Sequence, residues 1–318
     1  MRRLPRTQSS LGHVPPRLST ALQFLGMGLI WGSSFLFMKV ALGGVTFAQV
    51  AWSRLVLGGI TLLIIALVMR LRFPREKVVW AHFLVIAVTN CIIPHLAFAW
   101  SEQYISSGLA SIYNATTPIM TALFATLAFK VEKLTFGQVV GIALGIFGVI
   151  VIIGPWRYSA FTGDLAGQFA CLLAAVCYGF SYSYVRRFLS HRPIPGAMFA
   201  FLNIGVAGFI MLLLTPLIAW TPVRLDLPIV ASLLALGVLG TGLAYIWNIN
   251  VLRAWGPTAA STVTYVTPVV GVFLGVLVLH EVLGWNEPVG AVLVLIGILF
   301  AQRRIRLGRE HAVFSEDG

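Results

Sequence analysis

The sequence of 318 residues predicts an all-α integral membrane protein with ten transmembrane helices arranged as two five-helix inverted repeats. Three observations carry this expectation. Apolar residues make up 58% of the chain and charged residues 10%, too few to clothe a soluble globule. Ten apolar segments are long enough to cross a bilayer core of roughly 30 Å. One pattern also occurs twice: Ala110, Ser111, Thr117, Pro118, Glu132, Gly141 and Gly148 recur as Ala260, Ser261, Thr267, Pro268, Glu281, Gly290 and Gly297. The offset is 150 residues up to the proline and 149 from the glutamate onward, a register that chance does not produce.

Residues 1–20 are polar, basic and proline-containing, and read as a disordered cytoplasmic lead. The apolar run that follows is too long for the core of a cleavable signal. Spans are expected near 21–43, 47–69, 80–101, 107–129 and 135–153, forming the first repeat over 21–153. A connector from Gly154 to Asp164 carries Pro155 and Gly163, with Asp164 as the expected N-cap of span six. Spans near 165–185, 196–219, 229–250, 258–279 and 288–302 form the second repeat over 165–302, and 303–318 is a cytoplasmic tail. Five spans per half is an odd number, so the second half enters the membrane from the opposite side.

The net charge of +12 lies between the spans rather than in them. With the N-terminus inside, Arg2, Arg3, Arg6, Arg17, Arg70, Arg72, Arg75, Lys77, Lys130 and Lys133 are cytoplasmic. So are Arg186, Arg187, Arg192, Arg253, Arg303, Arg304, Arg306 and Arg309, which makes 18 of the 22 Lys and Arg. Only Lys39, Arg54, Arg157 and Arg224 fall on the outer half. This bias predicts a multi-pass protein of the plasma or inner membrane with both termini cytoplasmic. The basic loops are topology signals beside lipid headgroups rather than a nucleic-acid surface. Cys91, Cys171 and Cys177 all sit inside apolar spans, which argues against a disulfide framework or a metal site.

The repeat extends more weakly into earlier spans. Trp31, Gly32, Ser34 and Lys39 match Tyr178, Gly179, Ser181 and Arg186 at an offset of 147. Arg54 has no cationic counterpart, its equivalent lying near Asn203. Inverted repeats of this kind are a common architecture of secondary transporters, with the substrate site near the midplane where the halves meet.

The Trp31-Gly32-Ser33-Ser34-Phe35 run with Lys39, the Arg54 of span two, and the Thr117-Pro118 and Glu132 set followed by a glycine-spaced span resemble EamA-type members of the drug/metabolite transporter superfamily. The resemblance covers roughly residues 20–302. It implies a ten-helix carrier with a central cavity, alternating access, and export of amino acids, metabolites or toxic compounds.

Candidate site residues follow from chemistry at depth. Pro118 and Pro268 stand near the middle of spans four and nine, where a proline removes a backbone donor and kinks a helix. They are candidate hinges. Asn114 lies one turn before Pro118 on a similar face, and an amide facing lipid would lose its hydrogen bonds. Asn90, His95 and Trp100 in span three, and Tyr245 and Asn248 in span eight, join rings to polar groups as an organic-solute cavity requires. Trp31 and Ser34 in span one, Tyr178 and Tyr182 in span six, and Tyr265 in span nine complete the expected lining. Bland alternatives accompany each: helix packing for the rings, interhelical hydrogen bonding for Asn114, and a satisfied packing histidine for His95. Lys39 and Arg54 are the deepest cations, either biasing the pathway toward anionic solutes or snorkelling or pairing with Glu102. Glu132 and Glu281 are read as interfacial caps or ion-pair partners, and the glycines as close-packing positions.

The expected partners are a small-molecule substrate and the lipid bilayer, with no nucleic acid, cofactor or metal. Proton or ion coupling and the oligomeric state stay open. No phosphate-binding Gly-rich loop followed by Lys and Ser/Thr is present, so the chain is not expected to hydrolyse ATP. The alternative from another class is an intramembrane lipid-modifying enzyme. It would need paired carboxylates, a metal-binding histidine set or an activated nucleophile, and none is suggested by spacing.

Overall fold

A computed structural model describes residues 16–132, 135–157, 163–218, 220–260 and 263–301. Residues 1–15 of the expected disordered lead, the whole expected tail 303–318, and Lys133 and Ser261 lie outside these residues, whereas residues 16–20, expected as part of that lead, begin a helix. The described chain is helical, without a β-strand. In order the helices are α1 (Pro16–Ala41), α2 (Phe47–Val68), α3 (Lys77–Ile86), α4 (Ile93–Ser101), α5 (Ser107–Asn114), α6 (Thr117–Leu123), α7 (Phe136–Ile153) and α8 (Gly163–Phe188). They continue as α9 (Gly196–Leu213), α10 (Thr215–Ile218), α11 (Leu227–Leu234), α12 (Ala244–Ala260), α13 (Val263–Leu279) and α14 (Asn286–Ala301).

Seven continuous helical stretches among the described residues are long and apolar enough to cross a membrane. Two of them, Lys77–Ser101 and Leu227–Val251, pass through π-helical turns at Ala87–Ile92 and Ala235–Leu243. Val263–Leu279 and Asn286–Ala301 are shorter apolar helices. Leu22, Leu29, Ile64, Leu67, Phe209 and Leu277 face outward, an apolar surface that suits lipid and not water.

Local chemistry sets the ends. Thr46 and Thr135 each open a helix with a reciprocal capping box, to Gln49 and Gln138 respectively. Asp226 accepts from Ile229 N at 2.9 Å and starts α11. Asp164, expected as an N-cap, instead lies in the first turn of α8, where its charge still complements the helix dipole.

The fourth apolar segment departs from expectation. It is not one kinked helix: α5 ends at Asn114, a turn occupies Ala115 and Thr116, and Pro118 sits in the first turn of α6. A proline there forfeits no helical hydrogen bond, because the first N–H groups of a helix have no intrahelical partner. Pro268, by contrast, lies inside the continuous α13. The loop expected after residue 250 is also helical, since α12 continues through Ala260.

Helices α7 and α14 pack backbone against backbone. A Cβ built on Gly141 would stand 2.6 Å from Gly297 O, and one on Gly148 would stand 2.9 Å from Gly290 O. The absence of side chains is what lets these backbones touch. Reversed order along the two helices makes the pair antiparallel.

Candidate functional site

A cavity of about 130 Å³ lies inside the bundle, and both sequence repeats wall it. From the first repeat come Trp31, Ser34, Phe35 and Met38 of α1, Arg54 of α2, His95 and Phe98 of α4, Asn114 of α5 and Thr117 of α6. The second contributes Tyr178 and Tyr182 of α8, Tyr245 of α12, and Val263, Thr264 and Thr267 of α13.

The π-helical turns position much of this wall. Within the turn over Ala235–Leu243, Thr241 Oγ1 donates to Leu236 O at 2.9 Å, five residues back, as the wider helix allows. The same oxygen accepts from Arg54 Nε at 3.1 Å. Gly240 O, in that turn, accepts from Trp31 Nε1 at 3.0 Å. In the turn over Ala87–Ile92, Cys91 O accepts from His95 Nδ1 at 2.6 Å, because a carbonyl can only accept. His95 Nε2 remains as its second polar atom.

Rings pack around these groups. Trp31 and Tyr245 meet edge to face at 5.8 Å, as do Phe35 and Phe98 at 5.6 Å. Tyr178 and Tyr182 stack at 6.2 Å with planes 18° apart, one turn apart on α8. The geometry joins an apolar, aromatic container to a few directed polar groups, the usual make-up of a small-molecule site.

Trp31, Ser34, His95, Asn114, Tyr178, Tyr182 and Tyr245 are therefore brought together around one cavity, and Arg54, expected in a charge pathway, stands among them. Others of the expected set lie elsewhere. Asn90 is buried in the π-helical turn, outside the cavity wall. Trp100 packs on Tyr104 at 4.7 Å near the end of α4, two residues past the cavity residue Phe98 and so on roughly the opposite helix face. Asn248 is half-buried and outside the wall, three residues from Tyr245. Tyr265 packs against the main apolar core, since the wall of α13 is formed by Val263, Thr264 and Thr267. Pro118 and Pro268 do not line the cavity, but the threonine preceding each does.

The two deep cations part company. Lys39 Nζ donates to the backbone carbonyls of Glu102 and Ile105, the latter at 2.9 Å. It thus binds the end of α4 through carbonyls rather than the Glu102 carboxylate. Arg54 does not snorkel outward; it enters the cavity wall. Phe35, which the sequence groups with Trp31 and Ser34 as an aromatic patch, and Thr117 and Thr267, which it places beside the two prolines, also line the cavity. Met38, Phe98, Val263 and Thr264 were missed from sequence, and Phe98 needed knowledge of how the π turn rotates α4.

The fold and site define a multi-pass membrane protein with an internal solute-sized cavity. The EamA-like transporter family model matches twice, over residues 18–154 and 165–302, and the chain belongs to that family. It is 25% identical over 299 residues to the uncharacterized transporter YoaV of Bacillus subtilis, covering 89% of this chain and 98% of that one. A probable terminal-alkyne amino-acid exporter of Streptantibioticus cattleyicolor is 27% identical over 298 residues, covering 92% and 96%. The uncharacterized inner membrane transporter YedA of Escherichia coli K12 is 27% identical over 251 residues, 78% of each chain. A solved crystal structure shares the fold with TM-score 0.61 at 20% identity, over 90% of this chain and 98% of the other.

Proposed function

We propose that the chain is a secondary carrier that exports small organic solutes by alternating access, with ten spans arranged as two inverted five-helix repeats and both termini in the cytoplasm. The observation that carries this reading is that one cavity is walled by residues of both repeats. A site at the junction of two pseudo-symmetric halves can be uncovered from either side when one helix bundle rocks against the other. The antiparallel meeting of Gly141 with Gly297 and Gly148 with Gly290 supports the inverted relation, because each contact joins one copy of the repeated glycine pair to the other. The basic loops support the orientation. Pro118 and Pro268 are proposed as hinge points, acting through the adjacent cavity threonines Thr117 and Thr267.

The test is counterflow in proteoliposomes. Vesicles loaded with unlabelled amino acids and small organic acids, then diluted into trace labelled solute, should accumulate label transiently. A channel or a lipid-modifying enzyme gives no such trans-stimulated exchange, and its absence across a broad panel would contradict the carrier reading.

A further inference from the structure

We propose that Arg54, with the hydroxyls of Tyr178 and Tyr245, forms a carboxylate-binding subsite, so that the solute carried is a small carboxylate with an apolar body and not a cation. The inference rests on the cavity being the transport site.

Arg54 stands eight residues into the helical span that opens at Phe47, about 10 Å along its axis. Its Nε is engaged by the neutral Thr241 hydroxyl, and Nη1 approaches only the Met38 sulfur at 3.8 Å. Among the described residues no carboxylate forms an ion pair with it. Glu102 is fully buried with both carboxylate oxygens unpartnered, yet forms no ion pair with Arg54. The guanidinium therefore keeps donors for an acceptor the protein does not supply. The Glu102 carboxylate acts on this cation only from beyond ion-pair distance; a buried cation with no ion-paired carboxylate is costly, and a bound anion relieves that cost.

Arg54, Tyr178 and Tyr245 line the same cavity of about 130 Å³. Neither hydroxyl makes a hydrogen bond within the described protein, and both side chains line the cavity. Two phenol O–H groups that share a small cavity with a guanidinium supply enough donors for the two oxygens of a carboxylate. Phe35 and Phe98, the latter packed 6.2 Å from the Tyr178 ring, offer apolar surface in the same wall, and His95 Nε2 offers an acceptor for a hydroxyl or amino group on the solute. The same arrangement repels a cationic solute, which would place like charges together with little water between them.

The experiment uses two matched sets of probes. One is 3-methylbutanoate, L-valine, L-valinamide and 2-methylpropylamine, and the other is phenylacetate, L-phenylalanine, L-phenylalaninamide and phenethylamine. Each is assayed by thermal stabilisation of the purified full chain and by counterflow in proteoliposomes. In at least one set the carboxylate members should bind and exchange, with the amide and amine at least about tenfold weaker. Arg54→Gln should abolish that difference, and Arg54→Lys should restore only part of it because the planar fork is lost. Should Arg54→Gln fail to fold, the Tyr178→Phe/Tyr245→Phe double variant should narrow the preference for carboxylate severalfold. Amines or amides that bind as well as carboxylates, carboxylate preference that survives in Arg54→Gln, or no binding by any probe would overturn the inference. Exchange of the amines alone would overturn it while upholding the carrier. Carboxylate binding without exchange would uphold the subsite and contradict the carrier.

Discussion

Glu281 Oε1 accepts a hydrogen bond from the Ser107 backbone N–H at 2.7 Å, tying the turn after α13 to the first residue of α5. Its other oxygen accepts from Gly108 N at 3.0 Å, so one carboxylate satisfies two otherwise unpaired amides at a helix start. The related acid of the first repeat, Glu132, instead forms an ion pair with Arg186. Two residues at equivalent places in the repeat thus hold different kinds of partner.

Replacing Glu281 with Ala should leave both amides without this partner. The expected loss is about 1–3 kcal/mol of stability, read as a lower unfolding temperature in detergent, and Glu281→Gln should lose less because one acceptor oxygen is kept.

Removing the Glu132–Arg186 pair should matter far less to stability. The Arg186 side chain is 54% exposed, and exposed pairs are worth about 0–1 kcal/mol. Glu132→Gln should therefore unfold within a degree or two of wild type; a large drop would show that the pair is held more rigidly than its exposure implies.

Glycine substitutions should divide by what the new Cβ meets. At Gly141 it would stand 2.5 Å from Ala301 N and 2.6 Å from Gly297 O, backbone atoms that can yield only if α7 and α14 separate. Gly141→Leu should abolish folded protein. At Gly205 the three nearest atoms all belong to the Phe201 ring, the closest at 2.8 Å, a side chain rather than a backbone. Gly205→Ala should express normally, and monodisperse yield by size-exclusion chromatography checks both.

Trp31→Phe keeps a ring in the cavity wall but removes the hydrogen bond to Gly240 O. One such bond is worth about 0.5–1.5 kcal/mol, so stability should fall modestly. The larger effect should be on solute affinity, weakened severalfold in counterflow half-saturation, because the ring is no longer pinned to the π turn that also sets Thr241 and Arg54.

Much of this arrangement was legible in the residues. Duplication, depth and polarity pointed to Trp31, His95, Asn114, Tyr178 and Arg54, since a polar or indole group in an apolar span has few tolerable places other than a cavity or a partner. What escaped was helical phase. Two π-helical turns, at Ala87–Ile92 and Ala235–Leu243, rotate everything after them relative to an ideal helix. That helps explain why Phe98 faces the cavity while Trp100 and Asn248 do not. No local residue pattern announces an i to i+5 turn, which tertiary contacts such as Trp31 to Gly240 stabilise. The break before Pro118 was hidden for a related reason: a proline near mid-segment is compatible with either a kinked helix or a new helix start, and only the turn at Ala115 and Thr116 distinguishes them.

The central claim is that one cavity, walled by both repeats, serves each side of the membrane in turn. Asn114 lies in that wall and is not fully buried, so Asn114→Cys is introduced after Cys91, Cys171 and Cys177 are replaced by alanine or serine. Labelling by a membrane-impermeant thiol reagent is then measured in right-side-out and inside-out vesicles, with and without transported solute. Labelling should occur from both sides and be slowed by solute in each case. Labelling confined to one side under every condition would contradict alternating access through this cavity.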